Sequence, residues 1–262
     1  MKIFKFVKEK IIEFLILIIC SIALISDLIN VYRLLKRSQK SKLSHGISNR
    51  IDSIENPKIS IIIAIKNESK VIGKTLRNLE ATVKDKSNCE VILVDAGCTD
   101  NSIDVAKASS CCIPLLIIKH LNGIGRGSSL NAGSQSASGE IIVFLRSDCL
   151  LPNEFDVILR QELRKPEVLL TAFTFGIDKI ATNYSKLIGI WIYEYYINIR
   201  SRYCNLPGGY QAFAMYKSSF NERQFKDKMI MEDIEFIERI REETASKFLQ
   251  NANIINHILL FI

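Results

Sequence analysis

The sequence predicts an α/β domain with a mostly parallel central sheet flanked by helices, preceded by an N-terminal apolar helix. Three observations carry this expectation. Short apolar runs at Ile59 to Ala64, Glu90 to Val94, Ile113 to Ile118 and Glu140 to Leu145 alternate with helical segments, which is the βαβ signature. The fourth run is five apolar residues long and leads directly into Arg146-Ser147-Asp148, as suits a parallel strand buried on both faces that delivers a carboxylate to the sheet's edge. The chain has 262 residues, enough for one large domain with a full core and an appendage of about forty residues at the front.

The front end comes first. Residues 1–42 hold nine Lys/Arg against three acids, which places +6 of the formal +7 there and leaves the rest nearly neutral. A basic groove for nucleic acid is therefore not expected, whereas a basic segment beside an apolar stretch fits a membrane surface. From Ile11 to Tyr32 the chain is dominated by Ile and Leu, with an uncharged core from Phe14 to Ser26. Glu13 and Asp27 lie at its ends, where acids cost least. A retained membrane anchor over 1–42 is expected, with an interfacial helix or a cleaved signal as alternatives; no A-x-A-like site follows it. Residues 43–57 read as a linker and 58–262 as the main domain. The seven cysteines form no C-x-x-C pair, so neither a disulfide framework nor a zinc site is indicated. A reducing compartment is the simpler reading, with the domain on the cytoplasmic side.

Within the main domain, Asn67 is expected to cap a helix whose stripe is Val71, Ile72, Leu76 and Leu79, giving a right-handed crossover to the second strand. That strand ends at Asp95, and Thr99 in the following turn is a candidate cap for the next helix. An aspartate in such a turn serves as a local cap or as a ligand; a second one, Asp148, on a neighbouring strand favours a site. After the third run, Gly123-Ile124-Gly125-Arg126-Gly127 enters a helix. Its spacing is G-x-G-x-G and it follows the third strand, so a dinucleotide-binding oxidoreductase is not indicated. Glycine there permits close backbone approach, so the segment reads either as a turn whose Arg126 contacts a phosphate or as a flexible surface turn with a solvated arginine. Glu232 and Asp233 open a helix with Ile234, Ile237 and Ile240 on one face, where the helix dipole also favours acids. The aromatic stretch Leu187 to Tyr196 reads as core, or as a surface for a lipid-linked acceptor.

Taken in order, Ile61 to Glu68, Val94 to Asp100, Gly125-Arg126-Gly127 with Leu130-Asn131-Ala132-Gly133, Phe144 to Pro152, Asn198 to Arg202, Leu206 to Gln211 and Met231-Glu232-Asp233 resemble the family 2 glycosyltransferases. The resemblance covers about residues 58 to 243. It implies the GT-A fold, with a nucleotide-sugar half at 58–152, an acceptor half at 153–262, and a divalent metal (Mg2+ or Mn2+). It further implies that Ala64, Asn67, Glu68 and Asp95 line the nucleoside pocket, and that Arg126 faces the diphosphate with Asn131 among the donor-binding residues. Asp148 would hold the metal, Gly209, Tyr210 and Gln211 would shape the acceptor side, and Asp233 would be the general base supported by Glu232 in an inverting displacement. The partners implied are a nucleotide-sugar donor, a membrane and a sugar or lipid acceptor.

The match departs from the family at Arg146, which stands in place of the first acid of the usual D-x-D. The cation at this edge is then either a metal that Asp148 holds with help from phosphate, water or a distant side chain, or the arginine itself. A non-catalytic binding or assembly partner of the same fold is the alternative function. A glycoside hydrolase using Asp148 and Asp233 is disfavoured by the surrounding nucleotide-type motifs.

Overall fold

A computed structural model of the chain describes residues 55–110, 112–121, 123, 125–165, 168–177, 184–247 and 255–261, with the side chains of 184–188, 203–204, 244–247 and 255–261 left aside. The expected anchor at 1–42 and most of the linker lie outside the described residues. Among those described, no helix is long and apolar enough to cross a membrane.

The elements run β1 (Ile59–Ile65), α1 (Ile72–Thr82), β2 (Cys89–Asp95), α2 (Ser102–Ser109), β3 (Leu115–Lys119), α3 (Gly125–Ser136) and β4 (Ile141–Phe144). They continue with α4 (Phe155–Leu163), β5 (Leu170–Gly176), α5 (Tyr184–Cys204), β6 (Phe213–Tyr216), α6 (Lys217–Asn221), α7 (Glu232–Lys247) and β7 (Ile255–Phe261). All four predicted strands form at nearly the predicted limits.

The described strands make one sheet in the order β3-β2-β1-β4-β6-β5-β7. β1 pairs in parallel with β2 and β4, and β2 with β3, as crossover helices require. β6 enters antiparallel between β4 and β5, and β7 lies parallel to β5. The sheet is mostly parallel, as expected.

The isoleucines of β1 explain why the sheet is covered on both sides. Side chains alternate along a strand. Ile59, Ile61 and Ile63 join Leu76 and Leu79 of α1 and Phe155 and Leu159 of α4 in one core cluster. Ile62 points the other way, into a cluster with Leu130 of α3 and with Phe236 and Ile237 of α7. Each such side chain, fully buried, is worth about 1.5–3 kcal/mol. Beneath the sheet, Asp156 and Arg160 form a buried ion pair of 2.9 Å, and the same carboxylate accepts from the N–H groups of Lys84 and Asp85.

Two expected caps differ. α1 starts at Ile72 after Val71, without a side-chain cap, and Asn67 sits well before it in the left-handed region at φ 59°. α2 starts after Asn101, also without a side-chain cap, and Asp100 just before it accepts from the N–H of Ser102 through Oδ1 at 3.1 Å. Both asparagine and threonine are committed to each other instead: Thr99 N–H donates to Asn67 Oδ1 at 2.8 Å.

Candidate active site

Because β1, β2 and β4 are parallel neighbours, their carboxyl ends open on one edge, where open α/β sheets take their ligands. Half-buried Ala64 on β1 pairs with Val94 on β2. Beyond them, Asn67 is tied to the β2 turn as described, and Glu68 donates its N–H to Ser102 Oγ at 2.8 Å. Asp95 closes the turn by accepting from the N–H groups of Gly97 (3.0 Å) and Cys98 (2.7 Å). Burial pushes its pKa up, but the donors at Cys98 and Gly97 outweigh burial and hold the carboxyl below its usual range. Thus Ala64, Asn67, Glu68 and Asp95 stand together along the β1–β2 edge, with Asp95 also acting as the local cap.

At the end of β4 the chain turns back on itself. Arg146 donates to Asp148 with both arms of its fork, Nε to Oδ1 at 3.0 Å and Nη2 to Oδ2 at 2.9 Å. Burial raises the Asp148 pKa, and the guanidinium overcomes it so that the carboxyl lies below its usual range. Thr75 Oγ1 of α1 clamps the turn by donating to the carbonyl of Ser147 at 2.5 Å. Next to it the buried thiol of Cys149 reaches Asp148 Oδ1 at 3.7 Å and the carbonyl of Tyr210 at 3.6 Å, linking this edge to the second half of the chain. Burial pushes that thiol up to about 12, so it is no nucleophile at neutral pH.

From the second half come Glu232 and Asp233, the first residues of α7 as predicted. Glu232 is buried, and its Oε1 lies 3.6 Å from Arg126 Nη1. Asp233 accepts from the N–H of Gly209 through Oδ2 and from the N–H of Ile234 through Oδ1 at 2.9 Å. Arg126 and Asp233 both lie against Gly209, since a Cβ there would be 3.1 Å from Arg126 Nη1 and 2.7 Å from Asp233 Oδ2. Arg126 Nη2 is buried without a hydrogen-bond partner. Burial lowers the pKa of this guanidinium, with Glu232 opposing that shift and Arg146 adding to it.

Several expected roles move. The glycine turn approaches protein rather than leaving an open cradle: Gly125 (φ 71°) lies so close to the carbonyl of Lys228 that a Cβ would be 2.0 Å from it. Asn131, expected near the donor, uses both ends of its amide on Phe225, donating to its carbonyl at 2.8 Å and accepting its N–H at 3.0 Å. Gln211, expected on the acceptor side, is fully buried; it donates to the carbonyl of Phe173 at 3.1 Å and accepts from the N–H of Gly208 at 3.1 Å. Tyr210 remains at the cleft, its hydroxyl accepting from Arg200 Nη2 at 2.6 Å and its ring edge-on to Phe175. Arg200 has no role in the sequence reading, although it lies in a segment that carries the family resemblance.

The aromatic stretch on α5 is not core. Trp191 and Tyr195 stack on each other at 5.7 Å while 60% and 57% exposed, because α5 buries the side marked by Ile197 and Ser201.

A divalent metal needs several open oxygen ligands. Both oxygens of Asp148 are engaged by Arg146, and among the described residues no group of three His, Cys, Asp or Glu side chains converges. The donors present do not fit a resident metal at this edge.

Comparison with known proteins accords with this geometry. The profile of glycosyl transferase family 2 matches residues 60–225, more than half the chain. The undecaprenyl-phosphate 4-deoxy-4-formamido-L-arabinose transferase of Serratia proteamaculans is 31% identical over 112 residues, covering 40% of this chain and 33% of that protein. The dolichyl N-acetyl-alpha-D-glucosaminyl phosphate 3-beta-D-2,3-diacetamido-2,3-dideoxy-beta-D-glucuronosyltransferase of Methanococcus voltae is 26% identical over 184 residues, 68% of this chain and 57% of that protein. The chain thus spans between a third and somewhat over half of these relatives. In fold it is similar to the mannosyltransferase of Pyrobaculum calidifontis, solved with GDP-Man and Mn2+, at a TM-score of 0.62 with 16% identity, over 94% of this chain and 67% of that one. It is also similar to S. aureus TarS in complex with UDP-GlcNAc, at 0.58 with 16% identity, over 78% and 58% of the two chains. The chain belongs to glycosyl transferase family 2 and has the GT-A fold.

Proposed function

We propose that this chain is a membrane-anchored, inverting glycosyltransferase that takes a nucleotide-sugar donor on the β1–β2–β4 edge and passes the sugar to an acceptor approaching from the Gly209–Tyr210 side. The observation that carries the reading is that Arg126 and Asp233 both lie against Gly209, which brings a carboxylate and a cation with an unpartnered buried N–H to one spot. The acceptor's hydroxyl oxygen bonds to the anomeric carbon as the bond from that carbon to the β-phosphate oxygen breaks. The electron pair leaves with the nucleoside diphosphate, and the hydroxyl proton passes to Asp233. Gly209 and Ile234 fix the orientation of that carboxylate, and Glu232 holds Arg126 against the cleft. Attack opposite the leaving group inverts the anomeric centre.

The lipid phosphates in the names of the relatives above, undecaprenyl phosphate and dolichyl N-acetyl-alpha-D-glucosaminyl phosphate, support a lipid-linked acceptor. The basic flanks of residues 1–42 support an anchor, while cysteines without a paired pattern support a catalytic domain on the reducing, cytoplasmic side. The deciding experiment is a screen of UDP- and GDP-sugars, with and without Mn2+, for release of the nucleoside diphosphate. Asp233→Asn should cut transfer by about 1,000-fold while changing donor affinity less than about threefold. A protein that binds and hydrolyses no donor is not this enzyme.

A further inference from the structure

We infer that Arg146 occupies the place of the divalent metal: with Arg126 it forms a two-guanidinium clamp for the donor's diphosphate, and Asp148 is the residue that positions it. The inference rests on the glycosyltransferase reading above and adds that transfer by this chain proceeds without a divalent ion.

Charge gives the first argument. In the D-x-D arrangement two carboxylates and a divalent ion sum to zero at the strand end. One arginine and one aspartate at the same two positions also sum to zero, so Arg146 supplies the compensation an ion would bring. Geometry gives the second. A metal at this edge would need open carboxylate oxygens, and Arg146 covers both oxygens of Asp148 with Nε and Nη2. That bidentate grip fixes the guanidinium plane, while the Arg146 side chain stays 45% exposed. Asp148 is thereby changed from a ligand into an anchor.

The third argument is convergence. Arg126 comes from the start of α3 and Arg146 from the end of β4, yet each lies within electrostatic range of the other. Arg126 Nη2 has no hydrogen-bond partner although it is buried, and a buried donor left unpaired is costly unless a ligand satisfies it. Two repelling guanidinia with an unpartnered N–H between carboxylates that only hold them in place describe a site for an anion with several oxygens. A diphosphate between the ends of β1, β2 and β4 has that chemistry, and fixed cations there stabilise the charge that develops as it leaves.

The test is calorimetric titration of the full chain with UDP and GDP, first in EDTA and then with excess Mn2+. At least one nucleotide should bind in EDTA, with Mn2+ changing its affinity less than about threefold. Arg146→Ala should weaken binding about tenfold or more and lower transfer about 100-fold, with no recovery on adding Mn2+. Arg146→Lys, which keeps the charge and loses the fork, should fall between. Asp148→Asn should weaken binding even in EDTA, where a metal ligand would have nothing to hold. Arg146→Asp should make binding depend on Mn2+. Wild-type binding that vanishes in EDTA and returns with Mn2+ overturns the clamp while leaving the glycosyltransferase reading intact. Absence of nucleotide binding in both buffers overturns the two together.

Discussion

The backbone N–H of Gly209 donates to Asp233 Oδ2, and that bond leaves no room for a side chain at 209: a Cβ there would lie 2.7 Å from the accepting oxygen. Contacts of real Cβ atoms are essentially never so short, so Gly209→Ala must move the carboxylate. A displacement of about 1 Å at a reacting group costs about 100-fold in rate. Transfer by the Gly209→Ala protein should fall by about that factor, with nucleotide affinity, read by calorimetry, changed much less. An alanine variant as active as the wild type would remove Asp233 from the role of base.

Asn131 separates structure from ligand binding. Its amide meets both backbone groups of Phe225, which holds the segment leading to α7 against α3. Asn131→Ala leaves those two groups without partners and should destabilise the protein by about 1–3 kcal/mol in chemical denaturation, while nucleotide affinity stays within about threefold. A large loss of affinity at unchanged stability would return this residue to the donor site.

Glu90 sets part of the acid limit. Burial raises its pKa, but the hydroxyl of Ser60, the N–H and hydroxyl of Ser138 and the ammonium of Lys58 more than offset this and bring it from 4.5 to about 2. A carboxyl depressed on folding contributes stability that is complete above its unfolded value of 4.5 and is lost as pH falls toward 2. At neutral pH Glu90→Gln should cost about 2 kcal/mol. The gap between the two proteins, followed by denaturation at a series of pH values, should close between these limits; a gap that widens on acidification would contradict the assignment.

Much of the fold was legible because β-branched runs in parallel strands have no other stable use: Ile59 to Ala64 and Glu140 to Leu145 became β1 and β4. The helix at Glu232 was legible from its isoleucine spacing. What escaped were side chains whose partners are backbone atoms far along the chain. Nothing in the segment around Asn131 or Gln211 announces a bond to Phe225 or Phe173, since such pairings exist only once the sheet brings them together. Asn67 was expected as a cap from its residue type, whereas its left-handed backbone and Thr99 decide its use. At β4 the two residues of interest were visible, but whether the arginine would face solvent or close on the aspartate depended on the turn that Thr75 clamps.

The parallel strands and the carboxylate on α7 also reach the site at different times. A chain made from its N-terminus completes β1, β2 and β4, with Arg126 and Arg146, while residues 225–233 are still unsynthesised. The bonds that seat that later segment, such as Asn131 to Phe225, close across 94 residues and belong to the slow, non-local part of folding. A nascent chain therefore carries Arg126 and Arg146 before the carboxylates of α7 exist, and Arg126 gains its partner Glu232 only when that later segment arrives.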